Sequence, residues 1–144
     1  MTKYTLAFLF DDTLRRVALI QKQRPMWQQG KLNGIGGKVR PSEGNKVHVS
    51  LSREFKEEAG VKVEPHEWFP FGLMAGKDWQ VTCFVMGSTP LIDQVKTMTD
   101  ENIFVVDSNT FDGMPVIGNL RWLVPMAKDY LTGGRSFHNF IEYK

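Results

Sequence analysis

The stretch GGKVRPSEGNKVHVSLSREFKEEAGV, residues 36–61, changes character in its middle. Its first part is irregular, a glycine pair followed by Pro41-Ser42-Glu43-Gly44, which is turn composition. From about Asn45 to Ala59 the apolar residues Val47, Leu51, Phe55 and Ala59 recur every four positions, a helical spacing. Asn45 or Ser42 can cap the start of this helix, and Gly60 suits a left-handed stop at its end. Glu54, Glu57 and Glu58 stand at i, i+3 and i+4, so the helix sets all three carboxylates on one face. Like charges at that spacing destabilise a bare helix. A hard divalent cation is the natural compensation, because Mg²⁺ takes oxygen ligands and is shared between carboxylates and substrate phosphates. Arg53 and Lys56 offer partial relief without metal. Alone, an EFKEE run is most often a solvated helix face, and its flanks decide whether it is more.

Outward from this segment the chain reads mostly as strands. Thr5–Phe10 and Arg16–Gln23 are strand-like and joined by the polar turn Asp11-Asp12-Thr13, a hairpin pattern. Arg24 to Gly30 carries Pro25 and Gly30 and reads as a loop. After the helix come strand-like segments at Val61–Val63, Trp68–Met74 and Trp79–Met86, the last two linked by the turn Gly76-Lys77-Asp78. Gly87 to Thr99 reads as loop, Ile103–Val106 as a short strand and Asp107 to Gly118 as loop. A second helix begins at Asn119, with Leu120, Leu123, Val124, Ala127, Tyr130 and Leu131 on one face. Pro125 predicts a kink or a late start, Gly133-Gly134 the end, and Phe137–Tyr143 a last strand. With no repeat and no linker, residues 1–144 read as a single α+β domain.

The order of a glycine, Glu43, a helix and then Arg53-Glu54-Phe55-Lys56-Glu57-Glu58-Ala59-Gly60-Val61 resembles the Nudix box, G-x5-E-x7-R-E-U-x-E-E-x-G-U with U a bulky apolar residue. Gly37 and Glu43 match its first part, and Arg53 to Val61 match its second part throughout. There is one departure: nine residues, Gly44 to Ser52, separate Glu43 from Arg53 where the family usually has seven. In the family that Glu commonly pairs with the Arg to brace the loop, and the longer spacer leaves open whether the pair forms here. The resemblance implies the Nudix fold, a mixed β-sheet sandwiched between helices (an α/β/α sandwich). It implies Mg²⁺- or Mn²⁺-dependent hydrolysis of a nucleoside diphosphate linked to another group. By the same resemblance Arg53, Glu54, Glu57 and Glu58 are the catalytic set. Glu57 and Glu58 hold the metal, Glu54 helps to hold it or acts as the base, Arg53 orients the carboxylates, and the carbonyl of Gly37 is a further ligand. Family members often recruit an acidic residue from a later loop, for which Asp100 and Glu101 are placed, with Glu101 the candidate metal ligand; the alternative for both is a plain polar turn.

The segment Leu32 to Val39 looks like the corresponding part of MutT-like enzymes that cleanse oxidised purine nucleotides, some of which read the base with an Asn here. Asn33 is therefore a base-reading candidate, since an amide can contact a purine edge at two points. Trp27 could stack on the base. Asn119 is a second base reader or an N-cap, and Lys38 a phosphate contact or a plain strand cation. Trp79 and Trp122 read as core, and His48, inside the long spacer, as solvated. No Ser, His and Asp stand at positions suited to a triad.

Residues 1–40 hold eight Lys/Arg against two Asp, while the remainder holds ten Lys/Arg against fourteen Asp/Glu, within a net charge of +2. That asymmetry suits a small polyanionic ligand held by cations and a metal. The modest total argues against duplex nucleic acid, whose binding would be steeply salt-dependent. A single cysteine permits no internal disulfide and no zinc ribbon, and fits a cytoplasmic setting. The apolar patch Tyr4–Phe10 is too short for a secretory signal or a membrane span. The expectation is a nucleoside triphosphate pyrophosphohydrolase, with an oxidised purine nucleotide as one candidate substrate. The alternatives are hydrolysis of ADP-ribose, a dinucleoside polyphosphate or an RNA 5′ end, and a Nudix-fold module that binds nucleotides without cleaving them. The oligomeric state stays open.

Overall fold

The computed structural model describes residues 1–133 and 138–144. Strands β1 (Thr2–Phe10), β2 (Arg16–Gln21), β3 (Leu32–Asn33), β4 (Phe69–Ala75), β5 (Trp79–Gly87), β6 (Ile103–Asp107) and β7 (Asn139–Glu142) form one seven-stranded sheet. The order is β3-β2-β1-β5-β4-β7, with β6 paired to β2. The sheet is mixed: β1 runs parallel to β5 and β4 parallel to β7, while the other pairs are antiparallel.

Helix α1 (Val47–Ala59) covers one face and helix α3 (Leu120–Thr132) the other. Strand β1 shows why the sequence demands two covers. Ala7 and Leu9 pack with Leu51 and Phe55 of α1, whereas Leu6, Phe8 and Phe10 pack with Leu120, Leu123 and Val124 of α3. A strand buried on both faces needs a continuous apolar run rather than an alternating one. Removing such a side chain is costly: Phe55→Ala is expected to lose about 3–5 kcal/mol of stability, measured by urea unfolding.

Several sequence readings are corrected. Val61–Val63 forms no strand, although Val61 and Val63 are buried beside α1. The stretch read as loop after β5 contains a short helix, α2 (Thr89–Ile92), capped by the Ser88 hydroxyl accepting from the Leu91 N–H. Helix α3 shows no late start. It runs from Leu120 through Pro125, which is exposed along with Arg121, so the carbonyl that loses its helical partner can meet water. Trp122 is exposed rather than core, and Trp79 is only half-buried; the fully buried tryptophan is Trp68, packed on Phe55. His48 is not solvated. It is half-buried, edge-on to Phe84 at 4.8 Å, and burial lowers its pKa. Gly134 and Phe137, read as a helix end and a strand start, lie outside the described residues.

Candidate active site

The glycine-rich segment 34–38 pairs with β1 through two isolated bridges, Ile35 to Ala7 and Lys38 to Tyr4. Its Gly37 also abuts the Glu54 carboxyl of helix α1. After it the chain makes a single turn at Pro41–Glu43, and Glu43 closes that turn by accepting the Arg40 N–H. Helix α1 then carries the charged run back past the glycine strand and stops at Gly60, which is left-handed with φ 73°.

The brace across the long spacer is formed. Arg53 donates from Nε and Nη2 to Glu43 at 2.7 and 2.9 Å, a two-point contact that suits the planar guanidinium. Its Nη1 donates to Glu54 at 3.0 Å and to Glu57 at 3.2 Å, and Nη2 also approaches the Lys38 carbonyl at 3.4 Å. One guanidinium thus ties the loop, the glycine strand and two of the three helix carboxylates. It holds the Glu43 carboxyl down at about 2, while its own pKa rises in return.

The three helix carboxylates are not equivalent. Glu57 is 47% exposed and pairs with Arg53 and Arg40. Glu54 is held by Arg53 and largely buried, and burial raises its pKa against that pairing. Glu58 has one carboxylate oxygen, Oε2, buried with no hydrogen-bond partner among the described residues. Burial first, and then the Glu54 carboxylate, push Glu58 up to about 8, with Lys22 partly opposing them.

Glu54 and Glu58 open onto a cavity of about 950 Å³. Gly37 and Lys38 line it beside them, and Trp27, Asn33, Asn119 and Glu101 line it further round. Seven of the predicted metal and substrate residues therefore share one space with Lys38, whereas Arg53 and Glu57 do not line it. Trp27 is 65% exposed, on the turn Met26–Gln28 within the loop Arg24 to Gly30. Asn33 is pre-set by its neighbours: its amide donates to Gln28 Oε1 at 3.1 Å and its oxygen accepts the Gly34 N–H at 2.8 Å. Asn119 does not cap α3 with its side chain; the amide instead donates towards the Tyr143 hydroxyl at 3.4 Å. Asp100 forms an exposed pair with Arg24.

Two predicted metal ligands are engaged elsewhere. The Gly37 carbonyl accepts the Thr5 N–H at 2.9 Å, and the buried Glu101 accepts the Gln23 N–H at 2.6 Å and Lys22 Nζ at 3.2 Å. Among the described residues no three His, Cys, Asp or Glu groups stand together as a ready-made metal cage. The donor chemistry nevertheless fits a hard divalent cation. Carboxylate oxygens are its preferred ligands, and a buried Glu58 oxygen with no partner among the described residues, set among like charges, is a group that a cation would satisfy. Gly37 serves the same corner: a Cβ there would come within 2.6 to 2.8 Å of the Glu54 carboxyl, so any side chain would displace it.

Sequence reasoning missed Lys22 and Tyr143, which also line the cavity. Lys22 was legible only as part of the basic first forty residues. Tyr143 carries no local signal, because its place depends on β7 pairing with β4.

The same fold occurs in solved structures. The MutT protein from Bacillus halodurans aligns with a TM-score of 0.63 at 17% identity, covering 87% of this chain and 80% of that one. The MutT Nudix hydrolase from Burkholderia pseudomallei aligns at 0.66 with 18% identity, covering 87% and 96%. A Nudix hydrolase from Nitrosomonas europaea aligns at 0.66 with 13% identity, covering 99% and 79%. No family model matches the chain, and no curated protein does. At these identities the likeness shows the fold, which is the Nudix fold.

Proposed function

We propose that this chain, acting as one domain in the cytoplasm, hydrolyses a nucleoside diphosphate linked to another group. The foremost substrate is a nucleoside triphosphate, cut to the monophosphate and pyrophosphate. The observation that carries the reading is the Glu54–Glu58 pair lining a large cavity, with Glu58 half-buried, one of its oxygens without a partner among the described residues, and its carboxyl raised to about 8. Such an arrangement is costly to keep in a module that only binds, and it suits charge neutralisation of a pyrophosphate.

A divalent cation, Mg²⁺ or Mn²⁺, would be held by Glu54 and Glu58 in the cavity, and by Glu57 once it turns from its pairs with Arg40 and Arg53. When bound it supplies neutralisation of phosphate charge and a lowered pKa for water. The chain's own residues do the rest. Arg53 fixes the Glu54 and Glu57 carboxylates, so that their positions cost little to maintain. Lys22 and Lys38, which line the same cavity, present cations to the phosphates. A water oxygen attacks phosphorus, the phosphoanhydride P–O bond breaks with pyrophosphate leaving, and the water's proton passes to Glu54. Trp27 and Asn33 contact the base.

The test is parallel hydrolysis with Mg²⁺ over dNTPs, oxidised dNTPs, ADP-ribose and dinucleoside polyphosphates. Turnover of one class that is abolished by chelation supports the reading, and binding without turnover points to the non-catalytic module. Two further outcomes are expected. Millimolar Mg²⁺ raises the melting temperature, because the folded state binds it and the unfolded chain does not; no shift argues against a preformed site. Trp27→Ala weakens nucleotide binding roughly fivefold or more, the loss seen when a stacking aromatic is removed. Its melting temperature barely moves, since Trp27 is largely exposed; equal affinity in the variant removes Trp27 from the site.

A further inference from the structure

The cavity has a second end, opposite in character to the carboxylates. There Met74 of β4, Trp79 and Val81 of β5, Asn119 and Tyr143 form the wall. Tyr143 follows strand β7, which lies parallel to β4 at the edge of the sheet, and its N–H donates to the Ala75 carbonyl at 2.8 Å. That bond sets the phenol ring on Trp79, with ring centroids 5.4 Å apart and an interplanar angle of 49°. Trp79 is held from below by the hairpin turn: a Cβ on Gly76 would come 2.3 Å from its indole nitrogen, so the ring lies directly on that glycine.

The polar atoms at this end are only partly used. The Tyr143 hydroxyl accepts from the Asn119 amide at 3.4 Å, and among the described residues its own proton meets only the thioether of Met74 at 3.9 Å, a weak acceptor. Asn119 Oδ1 is buried with no partner among the described residues. A hydroxyl with a spare proton, an adjoining amide and two aromatic rings suit one kind of group, a planar heterocycle with polar atoms on its edge.

We propose that Tyr143, delivered by the C-terminal strand, is a specificity-determining residue that receives the nucleobase on the Trp79–Tyr143 wall and fixes the Asn119 amide with its hydroxyl. This rests on the nucleotide reading above and adds the C-terminal strand to the substrate site. The base then lies on this wall, with Trp27 and Asn33 contacting it from the same cavity, and the phosphates lie at the Glu54–Glu58 end. The stacking surface acts on any base, while the hydroxyl and amide discriminate between them.

The experiment compares wild type, Tyr143→Ala and Tyr143→Phe. Steady-state hydrolysis of dGTP and dATP with Mg²⁺ is read alongside inhibition by inorganic tripolyphosphate, which has phosphates and no base. Calorimetric binding of dGMP and dAMP gives a reading that needs no turnover. For Tyr143→Ala, KM and the monophosphate Kd are expected to rise roughly fivefold to a hundredfold, the range for a lost base-stacking aromatic. Its kcat and tripolyphosphate inhibition should stay unchanged. For Tyr143→Phe, affinity is largely retained but the dGTP-to-dATP ratio of kcat/KM shifts about threefold or more, the size of one lost hydrogen bond. Tyr143 is 41% exposed near the chain end, so the variants should fold, and melting temperatures check this.

Unchanged nucleotide KM and Kd in Tyr143→Ala overturn the proposal and leave the hydrolase reading standing. So does a matching loss of tripolyphosphate affinity, which marks a purely structural clasp. Monophosphate binding that depends on Tyr143 without any turnover keeps this proposal and removes the hydrolase reading. Neither turnover nor monophosphate binding in wild type overturns both.

Discussion

Replacing Glu58 with Gln is expected to lower Mg²⁺-dependent turnover by about three orders of magnitude, in line with several kcal/mol of lost transition-state stabilisation. The same change should make the metal-free protein more stable. The Glu58 carboxyl sits at about 8, above the ordinary Glu value of 4.5, because it is buried among other carboxylates. Between those two pH values the folded chain holds a proton that the unfolded chain releases, so stability falls as pH rises through that window. Gln carries no charge and removes this penalty. At pH 8.5 without cation the variant should melt higher than wild type, on the order of 5 °C, whereas at pH 4 the two should nearly coincide. Thermal melts at the two pH values with a chelator present measure this. A variant that is less stable at both would show that Glu58 serves the fold rather than a cation. The residue's deprotonation also links cation affinity to pH, and Mg²⁺ should bind more tightly as pH rises through about 8.

Arg53→Ala is expected to cost about 3–5 kcal/mol of stability, the loss typical of breaking a largely buried ion pair from one side. Arg53 is 18% exposed and Glu43 11%. Removal strands the Glu43 carboxylate and frees Glu54 and Glu57 together. A melting point lower by roughly 10 °C follows for a chain of this size, with activity lost as well. Arg53→Lys should not restore either, because an ammonium cannot make the two-point contact to Glu43 and still reach Glu54. The pH dependence runs opposite to that of Glu58. Glu43 is depressed to about 2, so its stabilising share is complete above about 4.5 and is lost as pH falls towards 2. Acid titration of wild type against Glu43→Gln isolates this share, and equal acid sensitivity of the two would contradict the assignment.

Much of this site was legible because its residues are close in sequence. The spacing of Glu54, Glu57 and Glu58, the apolar stripe of α1 and the stop at Gly60 are properties of one helix, and the structure has each of them. The fold class followed from strands flanking two helices. What spacing could not show were relations set by tertiary pairing. The two extra residues before Arg53 left the Glu43 brace open. The chain turns at Gly44 and begins α1 only at Val47, so the guanidinium still reaches. Glu57 was grouped with Glu58 by helical position, yet Arg40 and Arg53 draw it to the surface while Glu58 is drawn into the cavity. Asn119 looked like a cap by its position before a helix, but its partner is Tyr143, twenty-four residues on. Val61–Val63 shows the opposite error: burial under a helix leaves the same apolar imprint as a strand.

The most direct measurement follows the products of the panel's best nucleotide by phosphorus NMR, for wild type with Mg²⁺, wild type with chelator, and Glu58→Gln with Mg²⁺. Nucleoside monophosphate and pyrophosphate from the first sample alone are the predicted result. Nucleoside diphosphate with inorganic phosphate, or undiminished turnover in either of the other two samples, would contradict it.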